Sequence, residues 1–194
     1  MDIDWNEINE EAEAFDKRIE ERVAAGFIPD LRRAVKCEHF YKSFWRDPQF
    51  IELYLGRIMD GYLDLLHTHC GDGLHILDVG CGAGYMSLEL ARAGHHVKAI
   101  DIAESCIAIA KETLLQNPFE DNFGSLEYTV EPFHQVTGTF DVVMFSVSLH
   151  HMTDLQGAVD HASSLLSEGG HLLCYEPCHD RFTEADAAVV GLGD

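Results

Sequence analysis

Basic residues are scarce in this chain: 13 Lys and Arg stand against 34 Asp and Glu, for a formal net charge of −21. Nucleic-acid binders carry a basic surface that displaces counterions. That shortage excludes DNA, RNA and anionic membrane surfaces as main partners. Long apolar runs are missing too; none approaches the roughly 18 residues that span a bilayer. The first residues, Met1 to Glu13, are acidic, unlike a secretory or organellar targeting segment. Among six cysteines there is no CxxC pair, so the spacing writes neither a disulfide framework nor a paired-thiolate metal site. Cys174, Cys178 and His179, with His67, His69 and Cys70 as further donors, come nearest to a ligand set, but Cys174 falls inside an expected strand. No metal is expected. A cytoplasmic location with reduced thiols is.

What is present is enough for one domain with an accessory segment: 194 residues, 46% of them hydrophobic. Nine of the 13 basic residues lie in the first 60, including Arg32, Arg33, Lys36, Lys42 and Arg46. They read either as a solvated helix face or as a local basic lining for a carboxylate. Residues 1–66 read mostly as helix. Ile8, Phe15, Ile19 and Val23 recur at helical spacing over Asn6–Ala25, and Gly26 and Pro29 end that segment. An aromatic cluster, Phe40 to Trp45, follows, then a second helical run from Phe50 to Leu66. From Leu74 the rhythm changes. Strands are expected at 74–79, 96–101, 125–131, 140–146 and 170–176, and helices near 84–93, 104–116 and 154–166. Apolar strands alternating with helices specify an α/β fold, a doubly wound, mostly parallel sheet with helices on both faces. The connection Phe133–Thr139 has room for one helical turn at most.

The chemistry concentrates where the first of these strands ends. Asp78 is followed by Gly80-Cys81-Gly82-Ala83-Gly84, and a helical pattern begins at Tyr85. Glycine removes the Cβ that would keep a ligand off the backbone. Asp101 closes the second strand, where a carboxylate can take both hydroxyls of a ribose. A dinucleotide fingerprint would place its last glycine where Tyr85 stands. Asp78 would repel a pyrophosphate and suits a cationic ammonium group. Together these features point to an amino-acid–adenosine conjugate. Read separately, Asp78 caps a turn and Asp101 caps the next helix.

The run LDVGCGAGYMSLELARAGHHVKAIDIAES resembles the first two motifs of class I S-adenosylmethionine-dependent methyltransferases. TFDVVMFSVSLHHMTD resembles their fourth-strand motif and SEGGHLLCYEP their fifth. The resemblance covers residues 74–178, and TVEPFHQVTGTFDVV is further similar to the ubiquinone-biosynthesis O-methyltransferase type. It implies a Rossmann-like sheet of strand order 3-2-1-4-5 and S-adenosyl-L-methionine as cofactor. It also implies methyl transfer to a small-molecule O- or N-nucleophile. By the same resemblance Gly80, Cys81, Gly82 and Gly84 form the cofactor turn, with Gly80 and Gly82 admitting the methionine part. Asp78 lies near the ammonium, Asp101 accepts from the ribose and Ile102 packs on the adenine. Glu131 or Val130 lies near the adenine amino group, and Ser146 near the sulfonium.

Ligands in open α/β sheets bind at the carboxyl ends of the strands. His150 and His151 are the candidate general bases there, because imidazole titrates in the useful range. Glu176 and His179 follow the fifth strand. Residues 1–66 are expected to form a helical lid, with Tyr41 and Lys42 its substrate-facing candidates and Glu176 a third. Residues 67–194 form the cofactor-binding domain. The family sheet has two further strands for which the sequence leaves no length. A fragment, an edge covered by a second copy, a partner chain or the N-terminal helices, and a degenerate relative each account for that. A non-catalytic, cofactor-binding or partner-stabilising subunit stays open as the alternative, and a nicotinamide-dependent dehydrogenase as the third.

Overall fold

A computed structural model describes residues 5–25 and 51–177, together with 181 and 183. Five strands, β1 (His75–Val79), β2 (His96–Asp101), β3 (Ser125–Val130), β4 (Phe140–Ser146) and β5 (Leu166–Tyr175), lie in the order β3-β2-β1-β4-β5. Every neighbouring pair is parallel. The helices are α1 (Trp5–Ala25), α2 (Arg57–His69), α3 (Tyr85–Arg92), α4 (Glu104–Leu115) and α5 (Leu155–Leu165). The expected strand order and doubly wound class are therefore observed.

Alternation along the strands explains the layering. On β1, Ile76 faces one side, and Leu77 and Val79 the other. Ile76, Val142 and Met144 meet Leu66 of α2, Leu90 of α3 and Ile107 of α4. On the opposite face Leu77, Val143 and Phe145 meet Phe133, Ala162 and Leu165. A strand covered on both faces must be apolar throughout, which is why β1 and β4 read as near-continuous hydrophobic runs. Each fully buried side chain of leucine size contributes about 1.5–3 kcal/mol.

Four strands fall within a residue of expectation, and Phe133–Gln135 is the single helical turn anticipated. The fifth strand differs. It was expected at 170–176 but starts at Leu166, which pairs with Phe140; the register then shifts and resumes at Val142 with His171. Gly169, at φ 78, absorbs the extra residues as a bulge. The Gly169-Gly170 pair thus lies inside β5 rather than before it. The second N-terminal helix also differs, opening with a π-helical turn, Ile51–Gly56, and running on to His69. The boundary expected between residues 66 and 67 passes through α2, whose Met59, Tyr62 and Leu66 are buried in the core of the sheet.

Helix α1 docks on α4. Phe15 and Ile19 pack with Ala103, Cys106 and Ile109. Helix α4 has no capping side chain of its own. Asp16 Oδ1 supplies one from α1, accepting the Ser105 backbone N–H at 2.9 Å and the Ser105 hydroxyl at 2.5 Å. An acidic group at a helix N-terminus satisfies an orphan donor and complements the helix dipole. Asp16→Ala should therefore lower stability by about 1 kcal/mol and speed amide exchange in α1 more than in the sheet. Urea melts and hydrogen exchange check both.

Candidate active site

The order β3-β2-β1-β4-β5 reverses direction at β1, so the loops after β1 and β4 diverge and open a crevice at their carboxyl ends. Asp78, near the end of β1, is 1% exposed. Its Oδ2 accepts a 2.5 Å hydrogen bond from the Ser87 hydroxyl, while Oδ1 is buried with no hydrogen-bond partner among the described residues. Burial pushes its carboxyl up to about 6, against the bond from Ser87 and with help from the charge of Asp101. A buried carboxylate oxygen without a donor is costly, and a cation brought to it recovers that cost.

Asp101 holds the glycine turn. Its Oδ2 accepts from Gly82 N at 2.8 Å and its Oδ1 from Ala103 N at 2.9 Å. Gly80 N and Cys81 N both donate to Ile100 O, at 2.9 and 3.0 Å, so the turn stays anchored to β2. Burial raises the Asp101 carboxyl, and the backbone N–H groups oppose the rise. The glycines divide into two kinds. A Cβ at Gly80 would lie 2.5 Å from Ser148 Cβ, and one at Gly84 would lie 2.5 Å from the Tyr128 ring. Those two are required by protein packing: Ser148 donates to Val79 O and Tyr128 to Gly84 O, both at 2.6 Å. At Gly82 (φ 54) a Cβ would meet nothing within 4 Å. Open backbone on the crevice belongs to Gly82. On the side where a Gly80 Cβ would stand, Ser148 fills the space. Cys81 is half-buried, and desolvation, then the charges of Asp78 and Asp101, holds its thiol well above the usual value, which disfavours the reactive thiolate.

Around these residues stand the other expected groups. Ile102 is half-buried beside Asp101. Glu131 follows β3 and pairs with Lys98 Nζ at 2.7 Å. Its backbone N–H donates to Asp101 O at 3.1 Å. Ser146 ends β4, and its Oγ accepts from the Tyr62 hydroxyl at 2.9 Å. Tyr62 is 4% exposed, and burial pushes its phenol up to about 12. It stacks edge-on to Tyr175 at 6.4 Å. By spacing Tyr62 is one apolar residue of the helical run Phe50–Leu66; its reach from α2 to β4 follows from packing. Ser87, Ser148 and Tyr128 were missed for the same reason.

Beyond Ser146 the chain turns through Val147 at φ 58, a conformation that a β-branched residue adopts at a cost of about 1–3 kcal/mol. His150 and His151 follow in a helical turn, their rings 4.1 Å apart. His151 faces α1, edge-on to Phe15 at 5.1 Å and 3.6 Å from Glu11. Burial, then the neighbouring His150, lowers its pKa. Glu176 Oε1 accepts from Ser148 N and Leu149 N at 3.0 and 2.7 Å, and Oε2 lies 2.6 Å from His150 Nδ1. Asp154 caps α5 through Gly157 N at 2.9 Å. Tyr41, Lys42, the aromatic cluster, the basic residues between 32 and 46, Cys178 and His179 lie outside the described residues. Among the described residues no group of His, Cys, Asp or Glu is placed to hold a metal, and no helix is long and apolar enough to cross a membrane.

A parallel sheet in this order, a glycine turn after its first strand and an acidic residue ending the second define a Rossmann-like, nucleoside-binding architecture. A family model described as a methyltransferase domain matches residues 50–189. The chain belongs to that methyltransferase family, within the class I S-adenosylmethionine-dependent superfamily. It is 35% identical over 147 residues to the ubiquinone biosynthesis O-methyltransferase of Cronobacter sakazakii, covering 74% of this chain and 59% of that protein. The chain spans less than two thirds of the length of the curated relatives it matches, 59%, 54% and 63% in three of them. The magnesium protoporphyrin IX methyltransferase of Synechocystis PCC 6803, solved with bound S-adenosylmethionine, has the same fold. Its TM-score is 0.67 at 20% identity, over 98% of this chain and 87% of that one. A cyclase, SpnF, shares the fold too, at TM-score 0.58 and 20% identity over 84% of this chain and 57% of that one.

The residues present fit that cofactor. An unpaired buried carboxylate oxygen on Asp78 suits its ammonium group, and Gly82 leaves open backbone beside Asp101. Because the Asp78 carboxyl sits at about 6 in the folded chain, above its ordinary 3.8, the folded state holds the extra proton between those values. Stability without ligand therefore falls as pH rises from about 4 to about 6, and the full cost persists above. Asp78→Asn should raise the ligand-free stability at pH 7.5 by on the order of 2 kcal/mol while weakening S-adenosylhomocysteine binding at least tenfold. Wild-type affinity should fall as pH drops through about 6. Thermal melts and calorimetry at several pH values read all three. Val147→Gly should stabilise the chain by about 1 kcal/mol, measured by urea unfolding.

Proposed function

We propose that this chain is the S-adenosylmethionine-binding core of a methyltransferase that acts on a small-molecule acceptor. The observation that carries the reading is the Asp78 oxygen, buried and unpaired beside the open backbone of Gly82. Asp78 would hold the cofactor's ammonium, Asp101 its ribose, Ile102 its adenine, with Glu131 beside that ring and Ser146 toward the sulfonium. When bound, S-adenosylmethionine supplies the electrophilic methyl group. The chain's own residues then orient the acceptor, exclude water and hold its proton. His150 and His151, at the crevice, are the groups for that last task. An acceptor of the phenol class is favoured by the 35% identity to a ubiquinone biosynthesis O-methyltransferase. Fold alone does not select a reaction, since a cyclase shares it.

The N-terminal segment that carries α1 acts in this reading as a cap, supported by the Asp16–Ser105 and Glu11–His151 contacts of α1, while α2 belongs to the core of the sheet. Strand β5 is an edge of the sheet among the described residues, and we assign it to pairing with a second copy, with a partner or with further sheet of a longer protein. A cytoplasmic setting accords with the free Cys70, Cys81, Cys106 and Cys174.

Calorimetric titration with S-adenosylhomocysteine tests the reading. Micromolar binding is expected for the wild-type chain, and Asp101→Asn should weaken it at least tenfold by releasing the turn and losing the ribose acceptor. A folded chain that does not bind would refute the proposal.

A further inference from the structure

Most hydrogen-bond donors at the crevice are already taken by the protein. The amides of Gly80 and Cys81 go to Ile100 O, that of Gly82 to Asp101 and that of Gly84 to Cys81 O. Lys98 is held by Glu131. Among the hydroxyls, Ser87 donates to Asp78, Ser148 to Val79 O and Tyr128 to Gly84 O. Tyr62 donates to Ser146 Oγ at 2.9 Å. The phenol is buried and is the stronger acid of the two, so it is the donor in that pair. The Ser146 proton is left without an acceptor among the described residues, on a half-buried side chain at the end of β4.

Strand geometry sets this proton beside Asp78. Side chains alternate across a strand. Met144 stands opposite Asp78 in the register and packs with Ile76 and Tyr62 on the α2 side of the sheet. Asp78, two residues after Ile76, and Ser146, two after Met144, share that side, with Ser146 one step nearer the crevice. Tyr62 arrives there from α2, edge-on to Tyr175, which is the register partner of Ser146. Its hydroxyl occupies one lone pair of Ser146 Oγ and so restricts where the remaining proton points. An oxygen that accepts from a phenol is also the stronger donor.

We propose that Ser146 donates this proton to the α-carboxylate of S-adenosylmethionine, and that Tyr62 is its positioning residue, acting from α2 through Oγ. The inference rests on the methyltransferase reading above. Ammonium and carboxylate share one carbon. A ligand whose ammonium meets Asp78 therefore brings its carboxylate to the same side, among the acids Asp78, Asp101, Glu131 and Glu176, where it needs a donor. Ser146 keeps its place on the methionine side of the cofactor, and its hydroxyl gains a stated partner there.

Calorimetry with two probes separates this role from packing. S-adenosylhomocysteine carries the carboxylate. Its decarboxylated analogue, S-adenosyl-3-thiopropylamine, keeps the adenosine, the sulfur and the ammonium. Tyr62→Phe and Ser146→Ala should each weaken S-adenosylhomocysteine about tenfold, as expected for a hydrogen bond to a charged group. The double variant should bind no more weakly than Ser146→Ala. All three should bind the analogue as the wild type does. Equal losses for both probes, losses that add in the double variant, or unchanged S-adenosylhomocysteine affinity in either single variant overturn the inference. So does a Tyr62→Phe chain that fails to fold, which would make the phenol a purely structural group. Each of these leaves the methyltransferase reading intact if the wild type binds S-adenosylhomocysteine. Failure of the wild type to bind it overturns the reading itself, and the roles of Ser146 and Tyr62 with it.

Discussion

Parallel pairing of β1 with β2 on one side and β4 on the other is the constraint from which the site follows. The register sets Asp78 beside Ala99 and Met144 and carries the chain off β1 between two diverging loops. A strand buried on both faces has no solvent to receive a carboxylate. Asp78 is consequently held by one hydroxyl, from Ser87, and left with an oxygen that nothing in the described protein satisfies. The fold tolerates a cost at this point of the kind that binding sites carry.

The surrounding geometry maintains that carboxylate and the open turn beside it. Asp101 spends its oxygens on Gly82 and Ala103, so the turn is shaped before a ligand arrives. Ser148 and Tyr128 occupy the space that side chains at Gly80 and Gly84 would need. The three glycines, equivalent in the motif, therefore do different work: two admit protein and one faces open space. Preorganisation of this kind reduces the reorganisation cost of binding.

The loop after β4 is organised from further away. Val147 is held at positive φ, its N–H donating to Tyr175 O at 2.7 Å, and Glu176 collects the next two amides and His150. Helix α2 reaches in through Tyr62, and α1 through Phe15 and Glu11 at His151 and Asp16 at Ser105. Groups from both sides of the chain thus converge on a crevice lined by the ends of β1, β2, β4 and β5.

The strand–helix alternation, the glycine turn and the placing of Asp78 and Asp101 were legible because they depend on local spacing: an apolar run, a turn and a helix recur in adjacent residues, and period sets which face is buried; the strand order came with the resemblance to class I methyltransferases. The sequence by itself determined the fold class and the superfamily. It could not assign Tyr62 to Ser146, separate Gly80 from Gly82, or place Glu176 against His150. Those partners lie 84 residues apart for Tyr62 and Ser146 and 26 for Glu176 and His150, and hydrogen bonds carry no trace in the periodicity of either segment. The bulge that moved the start of β5 to Leu166 likewise came from cross-strand register with Phe140. Only tertiary structure decided which donor meets which acceptor, because that choice is made by the packing of elements that sequence distance keeps apart.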